Sequence, residues 1–232
     1  MLQIVLWDLD NTLLDFPAAE RAALQATFAD FHLGPCPDDR VARFSILNAR
    51  WWHRLERGEV AKAVLLPGRF QEFFRAEGIA CTDYDGFNAA YQDHLGETVV
   101  FLDHSDQVVR TLKGRGVKQY AITNGTRRAQ SRKLAKSGFD RLLDGVFISE
   151  EVGAEKPSLD FFRPVLAAVG PCPREDMLVV GDSLTSDMEG ARRAGIPSAW
   201  YNPKGEPVPP ELGIRYDLRS LAQVVRLAEG TL

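Results

Sequence analysis

The sequence predicts an α/β protein, in which a parallel β-sheet with helices on both faces is joined to an all-helical insertion. Three observations lead to this prediction. Short apolar runs recur along the chain, and four of them run into polar segments. Helical stretches separate these runs in the second half of the chain, which favours a parallel sheet covered on both faces. Residues 16–96 carry helical spacing without an alternating strand pattern.

The first strand is predicted at residues 3–7, and it runs directly into two carboxylates, Asp8 and Asp10. Asp is a poor strand residue, but the carboxyl end of a strand is where an α/β fold places its ligands. Alternate side chains of a strand share one face, so both carboxylates can approach one small ligand. The alternative is that the strand ends in an Asp-rich turn whose side chains cap a helix.

The insertion is predicted to consist of four helices. They cover residues 18–31, 37–57, 60–77 and 84–95, and a glycine follows each of them. We therefore predict a helical cap domain at residues 16–96 and an α/β domain made of residues 1–15 and 97–232. An insertion beside the tip of the first strand would act as a lid over the two acids.

Four further strands are predicted in the second half of the chain. They cover residues 117–123, 145–148, 177–180 and 197–201, and the first three run into the polar segments 124–126, 149–151 and 181–183. The third of these strands leads into a helix that ends near Ala194, before Gly195. Residues 202–216 are rich in Pro and Gly and are predicted to form a loop, and a closing helix is predicted at 220–229.

Composition places the chain among ordinary globular proteins. It has 232 residues, of which 45% are hydrophobic, so it can bury a sizeable core. The net charge of −4 does not suggest a nucleic-acid polymer as partner. The three scattered cysteines form neither a disulfide framework nor a zinc motif, and no apolar run approaches membrane-spanning length. We therefore expect a cytoplasmic protein with no membrane association.

Four polar segments lie at the ends of predicted strands or in the loop after one. They are Asp8-Leu9-Asp10-Asn11-Thr12, Thr123-Asn124-Gly125, Lys156-Pro157 and residues 181–187, which read Gly-Asp-Ser-Leu-Thr-Ser-Asp. In this order the set resembles the four signature motifs of the haloacid dehalogenase (HAD) superfamily, and the resemblance covers essentially the whole chain. It implies a Rossmann-like catalytic core with a helical cap inserted after the first motif.

The resemblance also implies a catalytic role for each acid. Asp8 is the expected nucleophile, because a carboxylate can attack phosphorus and form an aspartyl-phosphate. Carboxylate and phosphate repel each other, and Mg²⁺ suits a site that joins carboxylates to a phosphate. Its expected ligands are the carboxylates of Asp8 and Asp182 and the backbone carbonyl of Asp10, while Asp187 supports the site without binding the ion. The alternative for Asp182 and Asp187 is helix N-capping and a favourable first-turn charge.

Asp10 is expected to move protons in the reaction. It would protonate the departing alcohol and then accept a proton from the water that attacks the aspartyl-phosphate. Family members that cleave carbon–halogen bonds lack an acid at this position, so Asp10 indicates phosphoryl transfer. Thr12 either buttresses this loop through its hydroxyl or is a simple turn residue.

The second and third motifs are expected to hold the phosphate. Thr123 and Asn124 lie where a strand meets a helix, a place that favours anions. By resemblance, the hydroxyl of Thr123 and a nearby main-chain N–H bind the phosphate. Lysines are normally exposed and solvated, but Lys156 matches the motif whose ammonium group offsets phosphate charge and orients the nucleophile.

The cap gives the only indication of the substrate. Residues 48–59 and 67–70 resemble the cap of the 5′-nucleotidases that dephosphorylate pyrimidine nucleotides. Trp51, Trp52 and Phe70 are candidates for stacking on a base, and Arg69 for binding a phosphate or a carbonyl. The alternative is that these side chains pack in the core of the cap. Adjacent helical residues lie about 100° apart, so at most one tryptophan faces a cleft.

The sequence therefore predicts a Mg²⁺-dependent phosphomonoesterase, a 5′-nucleotidase that acts on (deoxy)pyrimidine nucleoside monophosphates. A sugar-phosphate phosphatase or a phosphosugar mutase of the same fold is an open alternative. A non-catalytic binding module would be expected to have a broken motif, whereas Asp8, Asp10, Thr123, Lys156 and Asp182 are all present. The expected partner is a small phosphate monoester, and the chain is expected to be a monomer or a homodimer.

Overall fold

The computed structural model describes residues 2–231, which form two compact units. The sheet unit contains residues 2–15, 100–127 and 134–231. The helical unit contains residues 16–99 together with residues 128–133. This division differs from the predicted domain bounds in assigning residues 97–99 and 128–133 to the helical unit.

The sheet unit is built on a six-stranded parallel sheet. The strands are β1 (Ile4–Trp7), β2 (Lys118–Thr123), β3 (Gly145–Ile148), β4 (Met177–Gly181), β5 (Ser198–Tyr201) and β6 (Tyr216–Leu218), in the order β3-β2-β1-β4-β5-β6. Every pairing between neighbours is parallel, which confirms the predicted α/β class. The strand order runs in opposite directions on the two sides of β1. Ligands of open α/β sheets bind at such a switch point, beyond the carboxyl ends of the strands.

Burial explains why these segments form strands. All residues of β1 and β4 are buried, as expected for strands covered on both faces, which form continuous apolar runs. The first five strands lie within one residue of their predicted bounds. β6 was not predicted, because three residues with a central Asp217 carry no apolar run, and the preceding chain is rich in Pro and Gly.

The helical unit contains α1 (Phe16–Asp30), α2 (Asp38–Glu56), α3 (Lys62–Glu77) and α4 (Tyr84–Glu97). Each helix agrees with its predicted bounds to within two residues. An aromatic core holds these helices together, with ring centroids of neighbouring phenylalanines 4.8–6.4 Å apart. Its members are Phe28, Phe44, Phe70, Phe73, Phe74 and Phe87.

A chain of hydrogen bonds, most of them buried, also crosses the helical unit. Asn48 on α2 donates to Glu20 Oε1 on α1 at 2.7 Å. Asn48 Oδ1 accepts from Arg69 Nη1 on α3 at 2.8 Å, and Arg69 Nη2 donates to Asn88 Oδ1 on α4 at 2.9 Å. We call these four residues the buried polar chain. They link all four helices through side chains.

The remaining helices are α5 (Ser105–Gly114), α6 (Arg127–Ser137), α7 (Phe139–Leu142), α8 (Ser149–Val152), α9 (Leu159–Val169), α10 (Glu189–Ala194) and α11 (Ala222–Glu229). They belong to the sheet unit, apart from residues 128–133 of α6. A π-helical turn, Leu184–Met188, precedes α10, so the helix predicted after β4 begins in this wider form. Among residues 2–231, no helix is both long enough and apolar enough to cross a membrane.

Candidate active site

Asp8 and Asp182 follow the two neighbouring strands at the switch point of the sheet. Asp8 comes directly after β1, and its main-chain N–H donates to the carbonyl of Val180 on β4 at 2.9 Å. Asp182 comes directly after β4. Because parallel strands end at the same edge of a sheet, the fold brings these two carboxylates together. Asp8 is buried, with 8% of its surface exposed.

Lys156 joins Asp8 and Asp187 into one hydrogen-bonded group. It lies in the loop between α8 and α9 and is 1% exposed. Its Nζ donates to Asp8 Oδ1 at 2.7 Å, to Asp187 Oδ1 at 2.6 Å and to the carbonyl of Ile122 at 2.7 Å. These three bonds use all three protons of the ammonium group. Lys156 therefore has a fixed position between the first and the fourth motif.

The site carries more negative than positive charge. Carboxylate oxygens of Asp8, Asp182 and Asp187 lie within 4.8 Å of one another, and Lys156 is the cation that contacts two of these acids. Burial raises the pKa of Asp8 to about 7, Lys156 opposes the shift, and Asp187 adds to it. Burial and the neighbouring carboxylates of Asp8 and Asp187 raise the pKa of Asp182 as well. Like charges so close together favour the binding of a cation, so these residues fit a divalent metal ion.

Lys156 remains charged in this environment. Burial by itself would lower its pKa, but the carboxylates of Asp187 and Asp8 outweigh burial and raise the pKa above its ordinary value. A permanently charged ammonium group that contacts Asp8 stabilises the ionised form of that acid. Lys156 therefore favours the carboxylate form of Asp8 and opposes the effect of burial.

The loop after β4 is held by its own side chains. The hydroxyl of Ser183 accepts from the N–H of Ser186 at 3.1 Å and so caps the π-helical turn. Asp187 Oδ2 accepts from the N–H of Ser183 at 3.1 Å, while its other oxygen contacts Lys156. Thr12 Oγ1 lies 3.5 Å from Asp182 Oδ1, a long hydrogen bond that favours the buttressing role considered for Thr12. Asp187 thus connects this turn to the ammonium group.

The second motif positions Lys156 through its main chain. Asn124 Nδ2 donates to the carbonyl of Lys156 at 2.9 Å, and Asn124 Oδ1 accepts from the N–H of Lys156 at 2.8 Å. The side chain of Asn124 thus contacts the backbone of the third motif, and its predicted role in phosphate binding stays a prediction. Thr123 is the last residue of β2 and is buried. Its hydroxyl oxygen accepts from the N–H of Gly125 at 3.0 Å.

Asp10 lies in the loop after β1 and is half-buried. It is close enough to Asp8 for its charge to contribute to the raised pKa of Asp8. The structure therefore places both acids of the first motif, together with Lys156, Asp182 and Asp187, at one edge of the sheet.

The four cap candidates all lie in the helical unit. Phe70 is fully buried in the aromatic core, and Arg69 belongs to the buried polar chain, with its guanidinium close to the rings of both Phe70 and Tyr91. Both therefore make the core contacts that were the alternative to substrate binding. Trp51 is largely buried and donates from its indole to Glu72 Oε2 at 2.8 Å, and Trp52 packs beside it. Substrate contact by either tryptophan stays a prediction.

Gly181 and Trp200 have roles that the sequence did not reveal. A Cβ atom on Gly181 would lie 2.2 Å from Asp187 Oδ2, so only glycine lets this carboxylate approach the end of β4. A glycine at the end of an otherwise apolar strand is a usable signal for such a close approach. Trp200 on β5 donates from its indole to the carbonyl of Asp182 at 2.8 Å. No sequence pattern links these two residues, because their proximity depends on the register of β4 and β5.

Comparison with known proteins supports the assignment that the motifs indicated. The family model of haloacid dehalogenase-like hydrolases matches residues 2–195, most of the chain. The chain belongs to this family. This membership confirms the resemblance stated for the four motifs and agrees with the parallel sheet.

Individual relatives cover nearly all of this HAD-like hydrolase. The HAD-hydrolase YfnB of Bacillus subtilis is 30% identical over 225 residues, which are 96% of this chain and 94% of YfnB. A crystal structure of YfnB bound to magnesium has a TM-score of 0.90 and covers 97% of this chain and 98% of its own.

Two further relatives are pyrimidine 5′-nucleotidases. PynA of Streptococcus pneumoniae is 33% identical over 204 residues, covering 87% of this chain and 84% of PynA. YjjG of Escherichia coli is 26% identical over 223 residues, covering 96% of each chain.

Proposed function

We propose that this protein is a Mg²⁺-dependent phosphomonoesterase that forms an aspartyl-phosphate on Asp8, and that its substrates are (deoxy)pyrimidine nucleoside 5′-monophosphates. The observation that carries the proposal is the bonding of Lys156 to both Asp8 and Asp187, beside Asp182. A buried carboxylate with a fixed ammonium partner suits nucleophilic attack on phosphorus, because its position and charge are set before substrate binds.

The acids also fit the proposed metal ion. The carboxylates of Asp8 and Asp182 and the backbone carbonyl of Asp10 would hold Mg²⁺, in agreement with the clustering of the acids. When bound, the ion would supply positive charge that offsets the repulsion between phosphate and carboxylates. Asp187 would act by fixing Lys156 and the N–H of Ser183.

In the proposed reaction, Asp8 and Asp10 take part in both steps of the hydrolysis. In the first step, an oxygen of Asp8 bonds to phosphorus while the bond to the leaving alcohol breaks and Asp10 gives that alcohol a proton. In the second step, Asp10 takes a proton from water, and the oxygen of this water displaces Asp8 from phosphorus. Inorganic phosphate leaves, and both aspartates return to their starting states.

The choice of nucleotides rests on the relatives. PynA and YjjG are pyrimidine 5′-nucleotidases, and each aligns with more than four fifths of this chain. Residues 48–59 and 67–70, which resemble the cap of such nucleotidases, lie in the helical unit. We therefore expect substrate preference for dUMP, UMP and dTMP over sugar phosphates.

Phosphate release from a panel of substrates tests the proposed function. The purified protein is given nucleoside monophosphates and sugar phosphates, each with Mg²⁺ and with a chelator. Metal-dependent release that favours the pyrimidine nucleotides supports the proposal. Release mainly from sugar phosphates would keep the chemistry and contradict the substrate, and no release from any compound would favour a binding module.

Asp10→Asn is expected to slow turnover by about 10²- to 10⁴-fold, since it removes a general acid and base. Because hydrolysis of the aspartyl-phosphate also needs Asp10, phosphoenzyme is expected to accumulate. Acid-quenched samples with ³²P-labelled substrate measure the label that stays on the protein. Asp15→Asn, a change of the same type five residues along the chain, is the control and should leave the rate close to wild type. An unchanged rate in Asp10→Asn would show that the proton comes from another group.

Gly181→Ala is expected to reduce turnover by roughly 10²-fold, because the new methyl group would displace the Asp187 carboxylate from Lys156. Overpacking of this kind also costs about 1–3 kcal/mol of stability. Steady-state kinetics and thermal unfolding measure the two effects. The control is Gly114→Ala, because a Cβ there meets no atom within 4 Å. Wild-type kinetics in Gly181→Ala would mean that the position of Asp187 does not matter for the reaction.

A further inference from the structure

The peptide bond between Asp182 and Ser183 is held from both sides by side chains. Its carbonyl oxygen accepts from the indole N–H of Trp200 at 2.8 Å. Its N–H donates to Asp187 Oδ2 at 3.1 Å. Rotation of this peptide plane would break both hydrogen bonds at once, because the carbonyl and the N–H belong to one rigid group.

Trp200 is well placed to fix this peptide. It lies on β5, is 4% exposed, and its Cα pairs in register with that of Gly181, the residue before Asp182. A large ring packed inside a sheet unit has little freedom to move. The indole N–H that contacts Asp182 therefore belongs to a rigid part of the protein, although Asp182 itself lies in the loop after β4.

The hydrogen bonds continue from this peptide to the proposed nucleophile. Asp187 accepts from the N–H of Ser183 and from Lys156, and Lys156 donates to Asp8. Asp182 carries both the carboxylate of the site and the main-chain carbonyl that accepts from Trp200. The orientation of one peptide thus affects the positions of three acids.

We propose that Trp200 is a positioning residue of the active site, whose indole N–H sets the orientation of the 182–183 peptide and thereby the geometry of the cation-binding acids. The proposal rests on the proposed function, because it concerns the same acids. It adds to that function a residue on β5, outside the four motifs. Trp200 itself contacts neither substrate nor the reacting atoms in this scheme.

Trp200→Phe removes the N–H and keeps an aromatic ring, and Trp7→Phe is the matched control. Trp7 is also fully buried in the sheet, but its indole donates to Gln119 Oε1 at 3.0 Å. Binding of Mn²⁺ alone is measured by electron paramagnetic resonance for the wild type and both variants. We expect the dissociation constant to rise roughly tenfold in Trp200→Phe and to stay within about twofold in Trp7→Phe.

Two results would overturn the proposal. One is wild-type affinity for Mn²⁺ in Trp200→Phe, and the other is an equal loss in both variants, which would reflect the loss of any buried indole. If the wild type itself binds no Mn²⁺, the proposed cation site is wrong, and hydrogen exchange of the Ser183 amide then decides on Trp200. Faster exchange in Trp200→Phe alone supports the positioning role, and unchanged exchange overturns it.

Discussion

Asp8→Asn is expected to reduce turnover at least about 10⁴-fold, because an amide cannot form the acyl-phosphate bond of the intermediate. The shape of the side chain is nearly unchanged, and Lys156 keeps its bonds to Asp187 and the carbonyl of Ile122. The variant should therefore fold. Phosphate release under saturating substrate measures the activity, and circular dichroism with thermal unfolding measures the fold.

The control for this variant is Asp140→Asn, which removes a carboxylate from α7 in the same unit. It should retain wild-type turnover. Substantial activity in Asp8→Asn, with a transition in thermal unfolding like that of the wild type, would mean that another group attacks phosphorus. Mass spectrometry of quenched wild-type enzyme gives an independent check, since the phosphoryl group should be found on the peptide that contains Asp8.

Lys156→Met is expected to lower both activity and stability. The substitution leaves the carboxylates of Asp8 and Asp187 without their shared cation, and breaking a buried ion pair costs about 3–5 kcal/mol. The pKa of Asp8, already raised to about 7 by burial, should rise further without the opposing ammonium group. Asp8, the proposed nucleophile, should then be largely protonated at pH 7, so the residual activity should increase as the pH is raised.

The sign of the stability effect follows from the same shift. An acid whose pKa is higher in the folded than in the unfolded protein stabilises the fold most at low pH, and this contribution is lost as the pH rises through the folded pKa. The free energy of unfolding of Lys156→Met should therefore fall further below that of the wild type at pH 8 than at pH 5. Urea denaturation at both pH values measures it, with the exposed Lys136→Met as control. An equal difference at both pH values would contradict the electrostatic explanation.

Local patterns predicted most of the secondary structure. β1 and β4 are apolar runs that end in Asp8 and Asp182, and burial on both faces makes such runs easy to recognise. The sequence also predicted that the motif segments follow strands of a parallel sheet, and the carboxyl ends of such strands share an edge. By contrast, β6 has no apolar run and depends on pairing with β5.

The contacts inside the site were less predictable, because they depend on tertiary geometry. Asn124 matched a motif, but only the structure shows that its amide bonds to both backbone groups of Lys156. Trp200 lies beside the site because the register of β4 and β5 pairs it with Gly181. In the helical unit, spacing alone could not decide whether Phe70 and Arg69 face the core or solvent, and the structure buries both.

The buried polar chain has a consequence for how the helical unit can change during evolution. Aromatic rings alone would allow neighbouring helices to slide and repack, since hydrophobic contacts are not directional. A helix that slid past its neighbour would leave Glu20, Asn48 or Arg69 buried without a hydrogen-bond partner, which is costly. The alignment of the four helices is thereby fixed from inside. Their outward-facing residues are then free to vary without altering the backbone that carries them, so new surface chemistry can arise on an unchanged frame.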